Sequence, residues 1–222
     1  MALENKSTSP YQRNVFLAYL IDGARRTSED GFPIIERFMV SDILPDEIAQ
    51  WDQRCKVKIP EKTSMSFYCR DFTFTPVLNN PSKYIEALRI YQSIIGMDAS
   101  PYDNMPPVVQ MSQIYQNLAL TYYYGRKGIP VIPNLRLGGK NAYRSLDAYP
   151  KSTLLAVGTN GFMKAKSNHS VFQKELSRSV NFLMPTGLLI YGPFPEWLRQ
   201  ALPASLPIYI YPSFIMKRRQ KI

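Results

Sequence analysis

The residues of this 222-residue chain best suited to chemistry are acids, amides and hydroxyls that each stand at the end of a short apolar run. Arg70 and Asp71 follow residues 65–69; Asp98 and Ser100, then Tyr102 and Asp103, follow 93–97; Asn134 and Arg136 stand at the end of 131–135. Thr159 and Asn160 follow 153–158, and Tyr191 ends 188–191. A carboxylate fixed at the end of an element can serve as nucleophile, as general base or as half of a paired magnesium site. Asp71 and Asp98 are the candidates for those roles. Ser100, Tyr102, Asn134, Arg136, Thr159, Asn160 and Tyr191 are the candidates for holding a substrate, with Arg136 suited to phosphate. One aspartate in such a place is more often a turn former or helix cap, but polar residues at five run ends in succession point, as a group, to a site.

The elements that must position them follow from the same runs. Six stretches, 65–69, 93–97, 131–135, 153–158, 188–191 and 208–211, are each four to six residues long, and several are continuously apolar. Such runs are strands buried on both faces. Helical stretches lie between them: Asn80-Pro81 opens one through Leu88, Met105-Pro106-Pro107 opens another reaching Gly125, and residues 141–149, 170–183 and 195–202 supply three more. The alternation predicts an α/β fold with a mainly parallel sheet and crossover helices. A (β/α)-barrel-like or incomplete barrel is favoured over a doubly wound open sheet, because no G-x-G-x-x-G turn follows the first strand; nothing signals a nicotinamide or flavin cofactor either. In both architectures ligands bind at the carboxyl ends of the strands, where the polar residues stand. Residues 1–64 read as an N-terminal wrap of the same domain, 65–216 as the α/β core and 217–222 as a basic tail; within the wrap, only 45–51 has a helical pattern.

Composition excludes several classes. Two cysteines, Cys55 and Cys69, and one histidine, His169, leave no zinc ribbon or disulfide scaffold, and no nucleophile–histidine triad that does not use His169. No run approaches the ~18 apolar residues of a membrane span, and the first ten residues carry no apolar signal core, so a soluble, cytoplasmic protein without a membrane partner is expected.

The net charge of +10 is unevenly placed. Residues 1–111 hold 12 Lys/Arg against 14 Asp/Glu, whereas residues 112–222 hold 15 against three. Lys217, Arg218, Arg219 and Lys221 crowd the C-terminus; Lys164, Lys166, Lys174 and Arg178 fall before and on one predicted helix. Counterion release rewards each phosphate such a surface neutralises, so a nucleotide or nucleic acid is the expected partner, with a protein partner also open. The competing reading is that the charge serves only solubility.

Asp71-Phe72, the stretch Gly96-Met97-Asp98-Ala99-Ser100-Pro101-Tyr102-Asp103-Asn104-Met105-Pro106, the run Gly128-Ile129-Pro130-Val131-Ile132-Pro133-Asn134, then Val157-Gly158-Thr159-Asn160-Gly161 and Tyr191-Gly192 together resemble the family catalogued as domain of unknown function 4417, found in bacteria, phages and other mobile elements. The likeness spans roughly residues 31–191. It implies a phage or mobile-element setting and brings no activity with it. Three functions stay open: an enzyme acting on a nucleotide or nucleic acid through Asp71 or Asp98, with or without a divalent metal; a non-enzymatic nucleic-acid or protein-binding module in replication or in countering host defence; and a structural subunit of a larger assembly.

Overall fold

The computed structural model describes residues 17–101, 104–137, 142–164 and 168–219. Among the described residues seven strands run in chain order: β1 (Glu47–Gln50), β2 (Thr63–Ser66), β3 (Ser93–Ile95), β4 (Val131–Ile132), β5 (Leu154–Gly158), β6 (Gly187–Tyr191) and β7 (Ile208–Tyr211). Every ladder is parallel; β1 to β4 form one sheet and β5 to β7 a second, each in sequential order. Neither sheet reverses its strand order, so neither has the switch point of a doubly wound fold. The α/β class with parallel strands and intervening helices is the one expected from the alternating runs.

The two sheets meet just past β4. Asn134 and Ala156 form a parallel bridge, in which Leu135 N–H donates to Ala156 O at 2.8 Å and Ala156 N–H to Pro133 O at 2.9 Å. Successive residues of the strands divide between two apolar clusters, as the period of two requires. Ile94, Val131, Leu155, Val157, Leu188 and Ile190 pack toward the helices. Ile48, Ile95, Ile132, Leu154, Ala156, Leu189 and Tyr191 meet on the opposite side, with Tyr68, Tyr209 and Tyr211 against them. That second cluster draws on six of the seven strands. Burial on both sides explains why the runs of β4, β5 and β6 read as continuously apolar; β7 reads the same way but stands at the edge of its sheet with Ile210 56% exposed, so the burial on both faces expected there is corrected.

The helices are α1 (Asp71–Asn79), α2 (Ile85–Arg89), α3 (Pro107–Arg126), α4 (His169–Leu183), α5 (Glu196–Arg199) and α6 (Phe214–Arg219). Residues 142–148, expected to be α-helical, form a 3-10 helix. The helix expected over 45–51 is corrected: Glu47–Gln50 is a strand paired residue by residue with β2, and Trp51 opens a 3-10 helix. A seven-residue helical pattern has little stability of its own. A full ladder to β2 and burial of Ile48 outweigh it. Three of the four residues of β2, Thr63, Ser64 and Ser66, are polar and buried, and the first two disguise the start of that strand; Ser64 satisfies its hydroxyl on Ser93 of β3. The basic tail also has structure, because residues 214–219 are helical and Lys217 pairs with Glu47 of β1.

Candidate functional site at the strand ends

The polar residues after β3 and β4 come together around one amide. Asn134 is 4% exposed and sits at the junction of the two sheets. Its Oδ1 accepts the Tyr68 hydroxyl at 2.8 Å, and its Nδ2 donates to Met97 O at 3.0 Å and to Asp98 Oδ1 at 2.9 Å. Burial pushes the Tyr68 hydroxyl well above the ordinary tyrosine value, so it stays a donor and fixes which way the amide faces. The Asn134 carbonyl accepts the Tyr149 hydroxyl at 2.9 Å. Two tyrosines therefore clamp one asparagine.

Asp98 faces Arg136, with an Nη1 to Oδ1 separation of 3.6 Å and side chains 14% and 18% exposed. Burial raises the Asp98 carboxyl above the usual aspartate value; the Arg136 guanidinium and the Asn134 amide pull against that, and the Asp71 charge adds to it. A buried carboxyl raised in this way suits proton transfer near its shifted value better than an ordinary surface aspartate does. Arg136 Nε is buried and has no hydrogen-bond partner among the described residues. Asp71, at the first position of α1, turns its two oxygens to the backbone N–H of Ser100 at 3.2 Å and to the Ser100 hydroxyl at 3.3 Å. Asp71, Asp98, Ser100, Asn134 and Arg136 thus share one neighbourhood.

Helix α3 props this loop from behind. Asn117 donates to Ala99 O at 2.9 Å and accepts Ala99 N–H at 2.8 Å, while Thr121, one turn on, accepts Met97 N–H at 3.3 Å. These two buried polar residues hold Asp98 from both sides in sequence. Their spacing of four on the buried second half of the helix is the available signal, since it places both on one face. Tyr68 and Tyr149 carried no such signal: one reads as strand core, the other as helix.

The family model for the domain of unknown function DUF4417 matches residues 28–209. The chain belongs to that family. A relative is the Gene 1 protein of Mycobacterium phage L5, 23% identical over 184 residues that make up 81% of this chain and 79% of that protein. No solved structure matches the chain. The DUF4417 match takes in the whole Asp98–Asn134–Arg136 group and ends before α6.

The remaining residues of the expected site divide. Tyr191 stacks on Tyr68 with centroids 5.1 Å apart, and its hydroxyl accepts the Phe214 N–H at 3.0 Å. Thr159 is fully buried and spends its hydroxyl on Pro193 O at 2.7 Å, so it joins the ends of β5 and β6 rather than facing a ligand. Asn160 is half-buried beside Gly192, whose φ of +123° only glycine adopts readily. Gly158 has a packing duty: a Cβ there would lie 2.8 Å from the Tyr68 ring. Tyr102, Lys166 and Lys221 lie outside the described residues, as does the side chain of Lys164. Lys174 and Arg178 line a hollow of about 180 Å³ on α4, with Arg178 4.6 Å from the Tyr143 ring centroid. Lys217 and Arg218 line a different cleft, beside β1, and Arg219 is exposed on α6. His169 opens α4 and stacks on Trp197 at 4.7 Å, its Nε2 buried without a partner. Among the described residues no group of three or more His, Cys, Asp or Glu gathers as a metal site would, and no helix is long and apolar enough to cross a membrane.

Proposed function

We propose that this DUF4417 protein recognises a phosphate-bearing ligand, a nucleotide or nucleic acid, in the polar cup at the ends of β2, β3 and β4. The observation that carries the reading is Arg136: a guanidinium held mostly out of solvent beside Asp98, with one N–H left unpartnered. A buried unpaired donor costs about 1–3 kcal/mol, and an anion accepting from it removes that cost. Asp98, whose carboxyl burial raises above the usual aspartate value, stands next to the same position as the proton-transfer group, with Asn134 orienting it. The basic second half of the chain supports a polyanionic setting for such a ligand, and the phage relative supports a phage-type protein.

Titration calorimetry with nucleoside mono- and triphosphates and with short oligonucleotides at ~50 mM salt tests the proposal. Arg136→Met keeps the bulk of the side chain and removes its charge and donors. It should weaken phosphate-dependent binding about tenfold or more, as loss of a charge-assisted contact does. Absence of binding to every probe by the unaltered chain, or equal binding by Arg136→Met, overturns it.

A further inference from the structure

Between β1 and α6 lies a cleft of about 230 Å³, lined by Gln53, Lys56, Tyr191, Phe214, Lys217 and Arg218 among others. It is smaller than the roughly 300–1,000 Å³ of pockets that enclose a whole drug-sized ligand. Two cations from separate elements converge on one ring: Lys56 Nζ lies 5.9 Å and the Arg218 guanidinium carbon 6.0 Å from the Phe214 centroid. The carboxylate in the lining, Glu47, is engaged by Lys217. Lys56 reaches only the neutral Gln53 amide, at 2.9 Å, and among the described residues neither Lys56 nor Arg218 has an acidic partner. Like charges brought together around an aromatic face favour an anion that also presents something flat.

The cleft adjoins the cup. Tyr191 forms part of its wall and stacks on Tyr68, whose hydroxyl holds Asn134; Gln50, also in the wall, donates to the Tyr68 carbonyl. We infer that the cleft between β1 and α6 is a single-stranded nucleic-acid subsite, in which Lys56 and Arg218 take a backbone phosphate and Phe214 takes a neighbouring base, the strand continuing past Tyr191 toward the cup. This rests on the reading of the cup as a nucleotide site. A stacking face between phosphate-binding cations is the arrangement that holds single strands, whose bases are free to stack.

Fluorescence anisotropy of the full chain with a labelled oligothymidylate of about ten nucleotides separates the two sites. The double variant Lys56→Gln/Arg218→Gln should reduce the slope of log affinity against log salt by about 0.7, the share of the one backbone phosphate the two cations hold. Phe214→Leu should weaken binding about fivefold or more. Oligonucleotide binding whose salt slope is unchanged in the double variant overturns the inference, as does a chain that binds mononucleotides through Arg136 but not oligothymidylate; the cup survives both results. Oligonucleotide binding lost in the double variant and untouched in Arg136→Met supports the cleft and overturns the cup. Thermal melting of each variant separates lost contacts from lost fold, and the two exposed or half-exposed cations can be neutralised without disturbing the core.

Discussion

At the ends of β3 and β4 nearly every polar atom has a partner within the chain: the Asn134 side chain alone serves Tyr68, Met97 and Asp98, and Asn117 serves both backbone groups of Ala99. In the cleft beside α6, Lys56 and Arg218 stand at the surface, and among the described residues neither has an acid to answer it. The difference is one of where the cost of function is placed. A buried network is rigid and its geometry is set before any ligand arrives, but each member is expensive to remove. An open cationic cleft costs little to alter and depends on the ligand and the salt for its order. Substitutions in the two regions should therefore differ sharply in their effect on stability.

The largest effect is expected from Asn134→Leu. The side chain has similar size, but the change strips the Tyr68 hydroxyl, the Met97 carbonyl and the Asp98 carboxyl of one partner each. Unpaired buried polar groups cost about 1–3 kcal/mol apiece, so a loss of roughly 3–5 kcal/mol in a urea denaturation series is expected even if one group finds water. A loss below about 1 kcal/mol would mean that the cup is wetter and looser than its hydrogen bonds imply, and the contrast with the cleft would collapse.

Next in size is a pH effect confined to the cup. An acid whose folded value is raised binds more protons folded than unfolded between the two values. Stability then falls as pH rises from the unfolded aspartate range, about 3.9, through the folded value of Asp98, and levels off above it. Asp98→Asn does not titrate. The stability of this variant relative to the unaltered chain should therefore move in its favour across that window. Loss of the charge facing Arg136 adds an offset that has no slope there. Denaturation midpoints collected from pH 4 upward test this, and a flat or opposite trend would show that Arg136 and Asn134 outweigh burial at Asp98.

How much of this was visible in the chain depends on what each residue is buried against. The strands β5, β6 and β7 were legible almost to the residue, because their side chains are apolar on both faces and their ends are marked by Gly158, Gly187 and Tyr191. Strand β2 was displaced by two residues, since Thr63 and Ser64 look like loop until Ser93 is known to satisfy Ser64. Strand β1 was hidden behind a helical pattern that only pairing with β2 overrules. Helix α1 escaped notice because it starts on Asp71, read as a strand-end residue, and contains Pro76. The acids and amides of the cup stood out by position; the tyrosines that hold them did not, because a buried tyrosine looks the same in sequence whether its hydroxyl is structural or aimed at a site. The cleft was half visible. Its cations on α6 were conspicuous as a basic cluster, but Lys56 lies more than 150 residues away in the acidic half, and only the fold brings it to Phe214.

The smallest expected effect is on the other side of the comparison, and its sign is the informative part. Lys56→Gln/Arg218→Gln removes two like charges that converge on one ring without a carboxylate between them. Like charges at neighbouring surface positions oppose folding by a few tenths of a kcal/mol, so the double variant should be as stable as the unaltered chain or slightly more stable at low salt. The gain should disappear near 1 M salt, where screening reduces the Debye length to about 3 Å. Cation–π contact with Phe214 works in the opposite direction, but at 5.9 and 6.0 Å both cations stand at the outer limit of that attraction, where it falls below the about 0.5–1 kcal/mol of a close exposed contact. If the double variant instead melts well below the unaltered chain at every salt concentration, Lys56 and Arg218 are packing α6 onto β1, and the cleft belongs with the cup as a piece of fixed structure rather than as a surface waiting for an anion.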